Sequence, residues 1–333
     1  MSGESRPLAS VVIPTLDAGS GFADTLAAVR AQRDVGEVDL VVLDSESRDA
    51  TAELARRAGA RVRRITRATF NHGATRNHGA ALARGRFIAF LTQDALPADD
   101  RWLSALVEAL ESERAVGAMS RVLPRPGCSP LVERSVRHDI VFSPDRVVRR
   151  ATRAELARMT PLGRRVFCHF NNVASCVRRD WLAAAPFPEI AFGEDLAWGV
   201  RAIESGQALV HEPRSVVLHS HESGLRRDHA RHAADARLMR LLFGLRVREG
   251  WSDGFAAWRT ELRRDAEHVG RAALPWREKL RALLYAPLLR AAQVAGQVAG
   301  TRAEPGPAPR FEGALPRVER AAPPQSAPEP PIA

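Results

Sequence analysis

Long apolar runs are missing from this 333-residue chain, which has no stretch of eighteen or more uncharged apolar residues. No transmembrane helix is therefore expected. The opening MSGESRPLAS lacks the apolar core of a secretion signal, so the cytoplasm is the expected compartment. Cysteine is scarce: Cys128, Cys168 and Cys176 are odd in number and form no C-x-x-C. That argues against a disulfide framework and a structural zinc site, and leaves buried reduced thiols as the simplest reading. The glycine signatures of two nucleotide folds are absent too. IPTLDAGSGFADT supplies only G-x-G, late and without a third glycine, and no G-x-x-x-x-G-K-[ST] occurs, so neither NAD binding nor a P-loop is supported. There is no internal repeat.

Positive charge is plentiful and unevenly placed. Residues 1–225 carry 30 Lys+Arg against 27 Asp+Glu, residues 226–302 carry 16 against 8, and residues 303–333 carry 3 against 4. The formal +10 therefore belongs mainly to one C-terminal segment. Such a patch attracts anionic lipid, nucleic acid or a phosphorylated substrate, and charge alone does not choose among them.

The first hundred residues alternate short apolar runs with amphipathic stretches: SVVIP then 22–32, VDLVVL then 50–58, RVRRI then 73–84, and RFIAFL. This pattern predicts a parallel sheet with helices on its faces. Ligands in such sheets sit beyond the carboxyl ends of the strands. The polar clusters fall there: Thr15 and Asp17, Asp44 and Ser45, Arg67 to Arg76, and Gln93 with Asp94. A further strand is predicted over 116–122, followed by a long irregular insertion containing LPRPGCSP. FGEDLAWGVRAIESG reads as a helix with acids in its first turn, and ALVHE and SVVLHSH as two short strands. From Leu225 to about Ala299 the pattern is helical. Beyond Arg302 lie nine of the 22 prolines, which predicts a disordered tail. The resulting division is 1–224, 225–302 and 303–333.

Several residues could carry chemistry. Asp44, on a strand end, can accept hydrogen bonds from a pyrimidine base or ribose, or DSESRD can simply turn the chain and cap the next helix, which suits Ser47 and Asp49. In FNHGATRNHG, Arg76 can fork onto phosphate oxygens and the asparagine amides can orient a sugar. Equally, Asn71 can be a helix N-cap and Arg76 and His78 solvated helix residues. Asp94 emerges from a buried strand at the mouth of the sheet, where one carboxylate can hold Mg²⁺ or Mn²⁺ alongside substrate phosphates. Asp99 and Asp100 lie closer to the helix starting near Arg101 and suit its cap better. His219 and His221, two apart on a strand, would face one side as further ligands, although an H-x-H pair is a weak signal alone. Glu194 and Asp195 stand where a helix dipole stabilises acids, and where a general base could be held.

In order, SVVIPTLDAG, VVLDSESRDAT, FNHGATRNHGA, FIAFLTQDALP, FGEDLAWGVRAIESG and VVLHSH resemble family 2 glycosyltransferases of the GT-A fold over Ala9 to His221. FNHGATRN with TQDA is similar to the bacterial rhamnosyltransferase branch. The resemblance implies an α/β, Rossmann-like mixed sheet flanked by helices, here with a C-terminal helical extension. It also implies inverting transfer from a nucleoside diphosphate sugar to an acceptor hydroxyl. Pro14, Thr15 and Asp44 would cradle the nucleoside, with Asn71, His72 and Gln93 in the same donor-binding set and Arg76 near the diphosphate. Asp94 would match the last aspartate of a D-x-D metal motif, His219 and His221 would be additional ligands to Mg²⁺ or Mn²⁺, and Asp195 would be the base with Glu194 beside it. Two positions depart from the family: Gln93-Asp94 replaces a full D-x-D, and Asp17 stands where asparagine is usual.

By the same resemblance the donor is dTDP-L-rhamnose and the acceptor a glycan or polyprenyl-linked hydroxyl in cell-surface polysaccharide synthesis. The basic helices after Leu225 would then rest peripherally on the inner face of an anionic membrane, with Leu241, Leu242, Phe243, Trp251, Phe255 and Trp258 packing inward or dipping into lipid. Ordinary packing across the catalytic domain or a dimer contact is the alternative for those helices, and the favoured one over membrane insertion. Two other functions stay open at this point: a nucleotidyltransferase, and a non-catalytic binder of nucleic acid or membrane surface driven by its arginines.

Overall fold

The structure is a computed structural model that describes residues 7–222 and 224–304. The tail expected to be disordered lies, from residue 305 onward, outside the described residues. Nine strands form one sheet: β1 (Ala9–Thr15), β2 (Asp39–Asp44), β3 (Arg61–Arg64), β4 (Phe87–Leu91), β5 (Leu96–Pro97), β6 (Gly117–Leu123), β7 (Val147–Arg149), β8 (Ala174–Arg178) and β9 (Leu209–Leu218). Their order is β3-β2-β1-β4-β8-β6-β9-β5, with β7 also paired to β9.

The first four strands are mutually parallel, as the β/α alternation predicts. Their near-continuous apolar runs reflect burial on both faces: every residue of β4 and all but the first of β2 are buried. Covering helices present a narrow apolar stripe, as in Phe22–Arg30, where Phe22, Leu26 and Val29 turn inward. The second half is mixed. β8 runs antiparallel to both β4 and β6, and β6 is parallel to β9. Hence β1, β2, β3, β4, β6 and β9 all end on one edge of the sheet, and β8 begins there. Almost every candidate residue lies on that edge.

Two expectations need correction. ALVHE and SVVLHSH are one ten-residue strand, β9, whose register against β6 slips between Ser120 and Arg121. The insertion is not irregular either. It folds into helices Pro130–Arg137, Arg153–Arg158 and Pro161–Phe167, with β7 between the first two. Each helix has a side-chain cap, from Ser129, Thr152 and Thr160, and Thr152 with Glu155 makes a reciprocal capping box.

Residues 225–304 form three long helices, Leu225–Phe243, Trp251–Arg271 and Trp276–Arg302. The first sends Leu238, Met239 and Phe243 into the main core. A second, smaller core gathers Leu131, Val269, Ala282, Ala286 and Leu289. Beside it the fully buried Asp265 accepts from Arg134 Nε at 2.7 Å and from Arg290 Nε and Nη2 at 2.8 Å. Among the described residues, no helix is long and apolar enough to cross a membrane.

Candidate active site

The acidic pair opens the helix Glu194–Glu204. Gly193 turns the chain into that helix with φ 75°, a left-handed conformation, and an added Cβ would lie 2.1 Å from Leu238 Cδ2. Asp195 Oδ2 accepts the Asn172 backbone N–H at 3.0 Å, and Oδ1 accepts the Leu196 N–H at 2.8 Å. Glu194 is buried and accepts Arg76 Nη1 at 2.7 Å. Burial, and then the negative charge of Glu194, push the Asp195 carboxyl up to about 6, against the lowering pull of the Asn172 N–H and Arg76. Asp195 keeps partial exposure.

The FNHGATRNHG segment serves this pair. It forms the start of the helix His72–Leu82 and grips the loop that precedes Gly193. Asn71 caps its own helix by accepting the Ala74 N–H, and donates from Nδ2 to Ile190 O at 3.0 Å. Asn77 exchanges two hydrogen bonds with the Phe187 backbone, at 2.9 and 3.0 Å. Gly73 lets the backbones meet, since a Cβ there would lie 2.2 Å from Pro188 O. Arg76, expected near the diphosphate, is buried in an ion pair with Glu194, because a desolvated guanidinium requires a carboxylate partner. His72 remains exposed, edge-on to Phe70. His78 is solvated, as the plainer reading had it.

Asp94, His219 and His221 come together. Their ligand atoms lie within 4.8 Å of one another, with His221 Nε2 at 3.0 Å and His219 Nε2 at 3.4 Å from Asp94 Oδ2. The two histidines do not share a strand face, since β9 stops at Leu218. Instead His219 N–H donates to Leu123 O, extending the β6–β9 ladder, and the following turn brings the rings edge to face at 4.7 Å. Burial would raise the Asp94 carboxyl, but the adjacent His219 and His221 outweigh it and hold it at about 2. Asp94 is free for this role because Asp99, not Asp94, accepts the Arg101 N–H before the next helix. The residues fit a divalent cation: a carboxylate with two imidazoles is a mixed oxygen and nitrogen donor set, and the buried His219 Nε2 faces only Asp94 Oδ2, at 3.4 Å.

The two carboxylates open on the same edge. Asp195 holds Asn172, whose neighbour Val173 accepts the Thr92 N–H at 3.0 Å, and Asp94 follows Thr92 by two residues. Two positioning residues were not legible in advance. Asn172 also reaches Glu194 through Nδ2 and accepts Ser175 Oγ at 2.8 Å, and Arg125 clamps the Asp94 carbonyl through Nε and Nη2. The polar Asn171-Asn172 pair interrupting an apolar run was the available signal for the first.

Pro14 and Thr15 stand opposite Leu43 and Asp44 in the β1–β2 ladder. Thr15 and Asp44 are buried, with the Thr15 hydroxyl 3.4 Å from Asp44 Oδ1 and the Ser47 N–H 3.3 Å from Oδ2. Asp17 adopts φ 46° and ties the rim together, accepting Arg48 N–H and Arg67 Nη2. Gln93 is occupied structurally: its amide accepts Leu16 N–H at 2.7 Å and donates to Leu16 O at 3.1 Å, linking the ends of β4 and β1. Ser47 and Asp49 accept backbone N–H groups of Asp17 and Gly19, and Asp49 also accepts from Thr51 at the next helix start. A groove of about 810 Å³ beside β7, lined by Phe142, Val148, Arg149, Leu162, Val166 and His211 among others, contains none of these residues.

Comparison with known proteins agrees with this layout. The family model for Glycosyl transferase family 2 matches residues 10–174. The chain is 29% identical over 226 residues to the O-antigen chain rhamnosyltransferase RfbN of Salmonella typhimurium, covering 67% of this chain and 69% of that protein. It is 25% identical over 229 residues to the O-antigen chain rhamnosyltransferase WbaN of Salmonella anatum, covering 68% and 70%. The mannosyltransferase PcManGT from Pyrobaculum calidifontis, solved with GDP-Man and Mn²⁺, superposes with a TM-score of 0.54 at 18% identity over 90% of this chain and 88% of that one. That likeness shows the fold, a GT-A sheet with flanking helices. The nucleotidyltransferase and non-catalytic readings give way to these relatives. Residues 10–174 are thus similar to family 2 glycosyl transferases, and the chain is a glycosyltransferase that resembles the O-antigen rhamnosyltransferases.

Proposed function

We propose that this enzyme transfers L-rhamnose, with inversion, from dTDP-L-rhamnose to a hydroxyl of a glycan or lipid-linked acceptor at the inner face of the plasma membrane. The observation that carries the reading is the convergence of a raised-pKa carboxylate, Asp195, and the Asp94, His219, His221 cluster on one edge of the sheet. Substitution at an anomeric carbon needs a proton acceptor on one face and charge stabilisation at the leaving group on the other. Asp195 accepts the acceptor hydroxyl's proton. Glu194, Arg76 and Asn172 hold Asp195 in place and tune its basicity. Pro14, Thr15 and Asp44 form the floor for the nucleoside, with His72 at the open rim.

A divalent cation held by Asp94, His219 and His221 would supply Lewis-acid stabilisation of the departing diphosphate. Two imidazoles with one carboxylate favour Mn²⁺ over Mg²⁺, which prefers oxygen ligands and retained water. The rhamnosyl donor follows from the relatives' named activity, and Mn²⁺ is also bound by the mannosyltransferase neighbour.

The test is a thermal-shift panel of nucleotide sugars with and without Mn²⁺ or Mg²⁺, followed by transfer assays on Asp195→Asn. Stabilisation by dTDP-L-rhamnose, with donor binding retained and transfer lost in Asp195→Asn by about 10²-fold or more, is expected. Absence of stabilisation by any dTDP or UDP compound refutes the proposal.

A further inference from the structure

The helix Trp276–Arg302 buries only one side of its first half. Ala282, Ala286, Leu289 and Arg290 face the protein, while Trp276, Leu280, Leu283, Leu284 and Leu288 face outward. Trp276 is 67% exposed and Leu284 69%, values unusual for such large apolar side chains in a row. Their spacing of i, i+4, i+7, i+8 and i+12 puts them on a single stripe of the helix. The stripe continues onto the helix Trp251–Arg271, whose exposed Phe255 stacks on Trp258, and Trp258 Nε1 donates to Pro287 O at 3.0 Å beside Leu288. Contiguous exposed apolar surface of this kind marks an interaction face.

Charge selects the occupant. Arg277 and Arg281 flank the stripe, and Arg259 lies on the neighbouring helix, all exposed. Several acids of these helices are already engaged: Asp265 and Glu261 with Arg134, Asp253 facing Arg248 and Glu267 facing Arg263. A second copy docking by two-fold symmetry would bring the arginine-flanked stripe against itself, juxtaposing like charges. An anionic bilayer surface accepts both components, taking the leucines and tryptophan into the acyl boundary and the arginines among its headgroups. We propose that this stripe, Trp276 to Leu288 with Trp251 and Phe255, docks the enzyme on anionic lipid. Of the residues expected from sequence either to pack inward or to dip into lipid, Phe243 is buried in the core, Leu241 and Leu242 are half-buried, and Trp251 and Phe255 are exposed on the stripe.

The proposal deepens the lipid-linked acceptor reading and rests on it only for its purpose, since vesicle binding needs no donor and its outcome is separable from the donor panel. The experiment is cosedimentation of the full chain with phosphatidylcholine vesicles, with and without phosphatidylglycerol, at low and high salt. Binding that requires phosphatidylglycerol and weakens with salt is expected. The double substitution Leu284→Glu with Leu288→Glu should lower vesicle affinity at least ~10-fold with an unchanged melting temperature, both side chains being exposed. Three outcomes overturn the proposal: no binding of the unsubstituted chain to anionic vesicles, equal binding by the double variant, or a dimer in sedimentation equilibrium that the double variant dissolves.

Discussion

Replacing Glu194 with glutamine isolates the electrostatic design of the site. Asp195 is held at about 6 from an ordinary 3.8, first by burial and second by the Glu194 charge. If ionised Asp195 is the base, kcat/KM falls tenfold per pH unit below about 6 and levels off above it. Glu194→Gln removes the second cause and leaves the Arg76 guanidinium, formerly 2.7 Å from Glu194, without its counter-charge. Both changes favour ionised Asp195, so the acid limb should move down by about one pH unit. The assay is kcat/KM against pH at constant ionic strength, for the enzyme and the variant. A limb that stays near pH 6 or moves up refutes the reasoning. The same pKa has a stability counterpart. Between about 3.8 and 6 the folded chain holds a proton that the unfolded chain has released, so this group's contribution declines as pH rises through that window. At neutral pH the group is a net cost to the folded state. Asp195→Asn recovers only part of it, because an amide offers one acceptor oxygen to the two N–H groups of Asn172 and Leu196.

Gly73→Ala would raise intrinsic helix propensity by up to ~1 kcal/mol, yet its methyl meets Pro188 O and must displace the loop before Asp195. Steady-state kinetics should show kcat down by about tenfold or more with donor affinity unchanged, and a fully active variant would contradict the gripping role. His219→Ala and His221→Ala should each weaken Mn²⁺ binding by roughly 10–100-fold in calorimetric titration, and unaltered affinity would place the cation elsewhere. Asp265→Asn strips the charge that neutralises buried Arg134 and Arg290 and should cost about 3–5 kcal/mol in urea unfolding. A loss below about 1 kcal/mol would show that those arginines find other partners.

Much of the fold was legible. The β/α alternation of residues 9–91 announces parallel strands because continuous apolar runs and period-3.6 stripes describe surfaces that must be buried. The insertion could have been read better: Ser129-Pro130, Thr152 to Glu155 and Thr160-Pro161 are cap signatures written in adjacent residues. At the site, residue types were legible and pairings were not. Asp94 with two histidines reads as a ligand set, yet Gln93 beside it is a strand clamp, and nothing local distinguishes the two.

By itself the sequence determined the β/α alternation of residues 9–91, the edge on which polar residues gather, and the chemical character of Asp94, His219, His221 and Asp195. The tertiary structure decided which of them touch. Arg76 answers to Glu194, 118 positions away, because a guanidinium taken out of water must find a carboxylate wherever the fold supplies one. Likewise the exposed stripe of the last helix emerged only once its opposite side had been packed, since the leucines on both sides look alike until one set is covered.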